Sequence, residues 1–200
     1  MEKSPIILHD EPFIACYEKV VTAIECRQII DLAQNQLQPS TIIGESEIET
    51  SKVRTSENTW LRHNSHILIN EISNRIASTI KQQLNYAESL QVARYLVDGK
   101  FGAHFDSFDL ETKAGQKYVS QSGQRLITAL LYLNTVDSGG ETYFPALNIR
   151  VTPSPGTLLV FENCKKGTNE KHPSSQHEGC SVKKGEKWIA TLWFRDRPQY

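Results

Sequence analysis

The sequence predicts an α+β fold, helices first and a jelly-roll barrel or sandwich of strands after them, and three observations carry that expectation. Apolar residues recur at helical spacing in the first half, give way to strand-like runs from Leu90 onward, and those runs are separated by turns rich in Gly, Pro, Ser and Asp. Many short strands divided by turns favour a jelly roll over a parallel sheet, and helices followed by strands make the class α+β. Two hundred residues at 38% hydrophobic suit one globular domain, and no internal repeat is present. With 22 Lys and Arg against 23 Asp and Glu, the net charge of -1 provides no broad attraction for nucleic acid or an anionic membrane. No apolar run approaches the roughly 18 residues of a membrane span. Ile6-Ile7-Leu8 is too short for a signal-peptide core, so a soluble, cytoplasmic chain is expected. Cys16, Cys26, Cys164 and Cys180 show no CxxC spacing and are expected to be free thiols, mostly buried, in a reducing compartment.

Taken in order, Thr22 and Glu25 form a capping box, and Ile24, Ile29, Leu32 and Ala33 follow as a helical stripe that Pro39 ends. Asn64 or Ser65 is expected to cap a second helix, in which Leu68, Ile72, Ile76, Ile80 and Leu84 recur every four residues as a core face. Between them, residues 40–63 are polar apart from a short strand at Thr41-Ile42-Ile43, a loop long enough to be a lid. Strands are then expected over 90–97 and 100–108, joined by an Asp98-Gly99 hairpin turn. After a polar stretch at 109–124 come strands over 125–133, 141–144, 149–151 and 157–162, with turns at Ser138-Gly139-Gly140 and Pro153-Ser154-Pro155-Gly156. A polar loop at 163–174 precedes strands over 176–182 and 188–194, separated by Lys184-Gly185.

His9, His63, His66 and His172 stand in polar or end-of-element contexts and are expected to be solvated. His104 differs because Asp106 stands two residues on. Both are expected in the strand over 100–108, so their side chains leave the same face. His177, on a later strand, is the candidate third partner. Two His and one carboxylate match the facial triad of non-heme Fe(II) sites, while His₂Asp with a water would also suit zinc. In the last strand Lys187, Ile189, Thr191 and Trp193 alternate onto one face, which half-buries a lysine that an anionic cosubstrate would satisfy.

The segments LQVARYLVDGKFGAHFD, GQRLITALLYLN, GGETYFP, PGTLLVF and HEGCSVKKGEKWIATLWF, with Arg54-Thr55-Ser56 and Trp60-Leu61 upstream, together resemble the prolyl 4-hydroxylase branch of the Fe(II)/2-oxoglutarate-dependent oxygenases. That resemblance implies a double-stranded β-helix within a single domain of 1–200, helical and lid-bearing over 1–89 and catalytic over 90–195. It implies iron ligands at His104, Asp106 and His177, and Lys187 on the distal carboxylate of 2-oxoglutarate, with Tyr95, Thr128 and Thr191 as supporting donors. Arg54, Ser56, Glu88 and Trp193 would touch a peptide, beneath a lid formed by residues 40–60 that carries Gly44, Glu45 and Glu47. The implied reaction hydroxylates a proline-containing peptide or protein at the 4-position with O₂, turning 2-oxoglutarate into succinate and CO₂; a part for ascorbate stays open.

Two positions depart from the family pattern on its substrate side: Phe101 stands where Tyr is common, and Arg195 where His is frequent. The alternatives are an oxygenase acting on a free amino acid or other small molecule, a non-catalytic peptide-binding module, and a zinc hydrolase. The last has no use for Lys187.

Overall fold

The computed structural model describes residues 4–40, 42–43, 48–49 and 54–200. The expected lid at 40–60 therefore lies partly outside the described residues, and Gly44, Glu45 and Glu47 lie wholly outside them.

The first half runs β1 (Ile6–Asp10), β2 (Phe13–Tyr17), α1 (Ala23–Ala33), β3 (Gln38–Pro39), β4 (Ile42–Ile43), β5 (Ile48–Glu49), β6 (Glu57–Leu61) and α2 (Ile67–Thr79). The second half runs β7 (Leu90–Tyr95), β8 (Phe101–His104), α3 (Lys113–Ser122), β9 (Arg125–Tyr132), β10 (Ser138–Gly139), β11 (Thr142–Phe144) and β12 (Ile149–Val151). It closes with β13 (Leu158–Glu162), β14 (His177–Gly179), β15 (Val182–Lys184) and β16 (Lys187–Arg195).

Eight strands pair antiparallel in the order β1-β2-β13-β9-β16-β7-β6-β3, and a smaller sheet has the order β12-β11-β14-β8. Neighbours distant in sequence, β13 beside β2 and β9 beside β16, give the crossed connections of a jelly roll, as expected. Two cores follow from the alternation of side chains along the central strands. Trp188, Ala190, Leu192 and Phe194 of β16 pack with Ile29 of α1 and Ile69, Ile72 and Ile76 of α2. Ile189 from the opposite face packs with Leu130, Tyr132, Phe144 and Phe161 between the sheets. All nine residues of β16 are buried, which makes it the strand most committed to position.

The capping box forms as read: Thr22 Oγ1 accepts from the Glu25 backbone N–H at 3.2 Å, and Glu25 Oε2 accepts from the Thr22 N–H at 2.8 Å. Several expectations are corrected. The second helix is capped by His66, whose Nδ1 accepts from the Leu68 N–H at 3.1 Å, and it ends at Thr79, short of Leu84. The polar stretch 109–124 holds α3, capped by Thr112 Oγ1 on the Gly115 N–H at 3.0 Å and stopped at Gly123 with φ 81°. Ser138-Gly139 is a short strand paired with β15, while β1, β2 and β6 occupy segments where no strand was expected. The strand carrying His104 stops at that residue, so Asp106 lies in the bend beyond it and shares no strand face with it.

Candidate active site

β8 and β14 lie side by side with His104 opposite His177, and this register brings two histidines distant in sequence to one end of the sandwich. Asp106 turns back from the bend to meet them. His104 Nε2 lies 3.5 Å from Asp106 Oδ1, and His177 Nε2 lies 3.7 Å from Asp106 Oδ2. Three potential ligand atoms, one from each residue, fall within 4.8 Å of one another. Each imidazole donates its Nδ1–H to a backbone carbonyl two residues back, His104 to Gly102 at 2.8 Å and His177 to Ser175 at 3.0 Å. Those bonds fix the tautomer and leave both Nε2 lone pairs aimed at the carboxylate, as a metal requires. Burial would raise the Asp106 carboxyl, but the facing imidazoles and Arg125 outweigh it and hold it far below the usual carboxylate range. Burial, reinforced by His104, pushes the His177 imidazole down to about 4. One carboxylate and two imidazoles make the donor set of a facial triad with open positions, so the residues fit Fe(II).

Lys187 opens β16 on the face that looks between the sheets. It is 3% exposed, and its Nζ has no hydrogen bond or ion pair among the described residues. The rings of Tyr95 and Tyr132 stand 5.7 and 5.8 Å from the ammonium. Burial depresses this lysine to about 8. A buried cation without an anion is costly, so the chamber is built for an anionic ligand. Tyr95, Thr191, Lys187, His104, Asp106 and His177 line one cavity, with Arg54, Gln91, Phe101 and Trp193 also in its wall.

Residues 90–195 match the 2OG-Fe(II) oxygenase superfamily, just over half of the chain. The chain belongs to that superfamily. Prolyl 4-hydroxylase 5 of Arabidopsis thaliana is 34% identical over 207 residues, covering 92% of this chain and 68% of its own. A provisionally named prolyl 4-hydroxylase of Acanthamoeba polyphaga mimivirus is 34% identical over 189 residues, 94% of this chain and 76% of its own. The crystal structure of a viral collagen prolyl hydroxylase from Paramecium Bursaria Chlorella virus-1, in its 2OG complex, superposes with a TM-score of 0.73 at 27% identity, covering 94% of this chain and 98% of that one. The oxygenase falls in the prolyl 4-hydroxylase branch, has its double-stranded β-helix and is a 2-oxoglutarate-dependent dioxygenase that uses Fe(II).

The structure separates the remaining sequence candidates. Arg54 and Trp193 line the cavity, and Ser56 stands behind Arg54, accepting from its Nε at 3.0 Å. Thr128 is not among the residues lining the cavity: its Oγ1 donates to Asp106 Oδ2 at 2.7 Å and accepts from Asn163 Nδ2 at 2.9 Å. A hydroxyl has one proton, and here it orients a ligand carboxylate. Glu88 lies outside the cavity lining, because Arg125 Nη2 at 2.8 Å and Arg195 Nε at 2.9 Å take up its carboxylate. Arg195 donates from Nε to Glu88 and from Nη1 to the Gly123 carbonyl at 2.8 Å. Phe101 stacks on the His104 ring at 3.5 Å between centroids, and the Arg54 guanidinium carbon lies 4.8 Å from the Phe101 ring centroid. His63, expected in solvent, is 8% exposed beside the Tyr200 ring, and His66 and His172 cap helical turns.

Gln91, Asn163 and Arg125 were not singled out from the sequence. Gln91 accepts from Arg54 Nη2 at 2.9 Å. The period-two alternation that places Tyr95 inward also places Gln91 inward, so that signal was available. Arg125 lies 4.0 Å over the Trp193 ring, a contact no local pattern reveals.

Proposed function

We propose that this dioxygenase hydroxylates prolyl residues at the 4-position within a peptide or protein. The observation that carries the reading is one cavity lined by the His104, Asp106 and His177 triad, the uncompensated Lys187 ammonium, and Arg54 and Trp193 at its wall. Relatives named as prolyl 4-hydroxylases over most of the chain favour proline as the target.

In this reading His104, Asp106 and His177 hold iron, and Lys187 holds the distal carboxylate of 2-oxoglutarate with Tyr95 and Thr191 beside it. The iron supplies O₂ activation coupled to the decarboxylation of 2-oxoglutarate. Thr128 and Asn163 keep Asp106 in its ionised, ligating orientation. Phe101 covers the outer face of His104 and keeps water from that side. Arg54, braced by Ser56 and Gln91, presents its guanidinium to a peptide backbone, a contact free proline would scarcely reach. Residues 1–89 and 90–195 act as one domain, the helices backing the sheet that carries Lys187. Four free thiols, three of them buried, favour a reducing compartment such as the cytoplasm.

The test is anaerobic loading with Fe(II) and 2-oxoglutarate, followed by O₂ and mass spectrometry of a prolyl peptide panel beside free proline. One oxygen atom gained on a peptidyl proline is expected; gain on free proline alone replaces the peptide reading. His104→Ala, Asp106→Ala and His177→Ala should each abolish 2-oxoglutarate decarboxylation. Losing even an outer-shell partner costs about 10–100-fold, and losing a ligand should exceed that.

A further inference from the structure

Glycine inside a strand costs conformational entropy and packs nothing, so each one calls for a reason, and a close backbone approach or a ligand is the usual one. At two glycines outside the strands such a reason is visible. A Cβ on Gly115 would stand 1.9 Å from the Asp109 carbonyl oxygen, and Gly140 has φ 75°.

Gly179, the last residue of β14, has neither reason. Its φ lies outside the left-handed region, so any residue could adopt its backbone. A Cβ there would meet the Phe101 backbone nitrogen at 3.6 Å, Phe101 Cβ at 3.7 Å and Lys187 Nζ at 3.8 Å, all ordinary van der Waals distances. The protein itself would tolerate a methyl. That methyl would enter the cavity, since Gly179 is part of its wall, and it would stand in front of the Lys187 ammonium. An ammonium and a carboxylate pair at about 2.8 Å between nitrogen and oxygen, which places the carboxylate carbon at about the separation the methyl would take.

We propose that Gly179 is a specificity-determining residue of the cosubstrate site: its bare backbone keeps open the space in front of Lys187 that the distal carboxylate of 2-oxoglutarate fills. The proposal rests on the reading of Lys187 given above and adds that the opposing wall is shaped for the same carboxylate. Gly179 pairs with Phe101, so a side chain at this position would also be held in place by the strand carrying His104.

The experiment is anaerobic calorimetry of the Fe(II)-loaded protein with 2-oxoglutarate and, separately, with oxalate, which has two adjacent carboxylates to bind metal and no distal arm. Gly179→Ala should weaken 2-oxoglutarate by about tenfold or more, the scale on which one added methyl overfills a close-packed site. Oxalate affinity and the Tm of the ligand-free protein should stay as in the parent. An unchanged 2-oxoglutarate affinity, an equal loss for oxalate, or a variant that does not fold would each overturn the proposal. A wild-type protein whose 2-oxoglutarate affinity is indifferent to Lys187→Met would instead sink the reading on which it rests.

Discussion

Lys187 shows how a single side chain ties burial to chemistry. Burial lowers its pKa to about 8, so the ligand-free site holds a proton less firmly than an exposed lysine does. An arriving carboxylate favours the charged form. Below about pH 8 the ammonium is already present; above it, binding must take up a proton, and 2-oxoglutarate affinity should fall by about tenfold per pH unit until the bound-state pKa is reached. The linkage for folding has the opposite sense: from about pH 8 up to the usual lysine range the unfolded chain binds a proton the folded one lacks, so Lys187 makes ligand-free stability rise with pH. Calorimetric titrations across this range should show the affinity loss in the wild type, while Lys187→Met should be about 10–150-fold weaker at neutral pH, from a charged hydrogen bond of about 1.5–3 kcal/mol, and flat above. At this scale the grouping of His104, Asp106 and His177 and the inward burial of Lys187 were legible because short spacings and strand alternation survive in one dimension. The partners that Thr128, Glu88 and Arg195 take, Asp106, Arg125 and one another, were not legible because they stand 22 to 107 residues away.

Elements with their own start and stop signals were read most accurately, and α1 is the clearest. Its capping-box residue Glu25 also receives both terminal nitrogens of Arg75 from α2, at 3.0 and 2.9 Å, so one carboxylate closes a helix and joins two. The Arg75 hydrogen bond leads the Thr22 contacts in holding that carboxyl down to about 2, with burial opposing. A depressed carboxylate stabilises the fold above its unfolded pKa and loses that contribution as pH falls toward the folded value. Glu25→Gln should therefore be less stable than the parent in urea at pH 7, with the gap closing between about pH 4.5 and 2. A gap that stayed constant with pH would show that the carboxylate charge is not what matters. The helix α3 escaped notice because its sequence is polar and its face weakly apolar; it exists through Thr112, Gly123 and the close seat of Gly115 against Asp109. Asp106 reaches the site from a bend rather than a strand, so the assumed shared face was wrong although the spacing pointed to the right residue.

The molecule as a whole puts rigidity and access on opposite sides of one sheet. α1 and α2 fill the outer face of the large sheet, while the inner face turns Lys187, Thr191 and Trp193 toward the triad. The jelly-roll class was legible from the number and spacing of strands, but the pairing of β2 with β13, which makes the sheet eight strands wide, was not, because 141 residues separate Tyr17 from Leu158. Arg54 sits where the cavity opens: it lines the triad cavity and also the groove formed with Ser40, Ser56, Glu57, Leu96 and Val97. A chain leaving the cavity along that groove would pass its guanidinium. Arg54→Ala should therefore raise the KM for a prolyl peptide while leaving peptide-independent 2-oxoglutarate decarboxylation close to the parent rate, since a contact made equally in ground and transition states acts on KM. Side-by-side measurement of the two rates checks this. Equal losses in both would mean that Arg54 serves the metal and cosubstrate through Phe101 and Gln91, and no loss in either would leave the groove without a part in peptide binding.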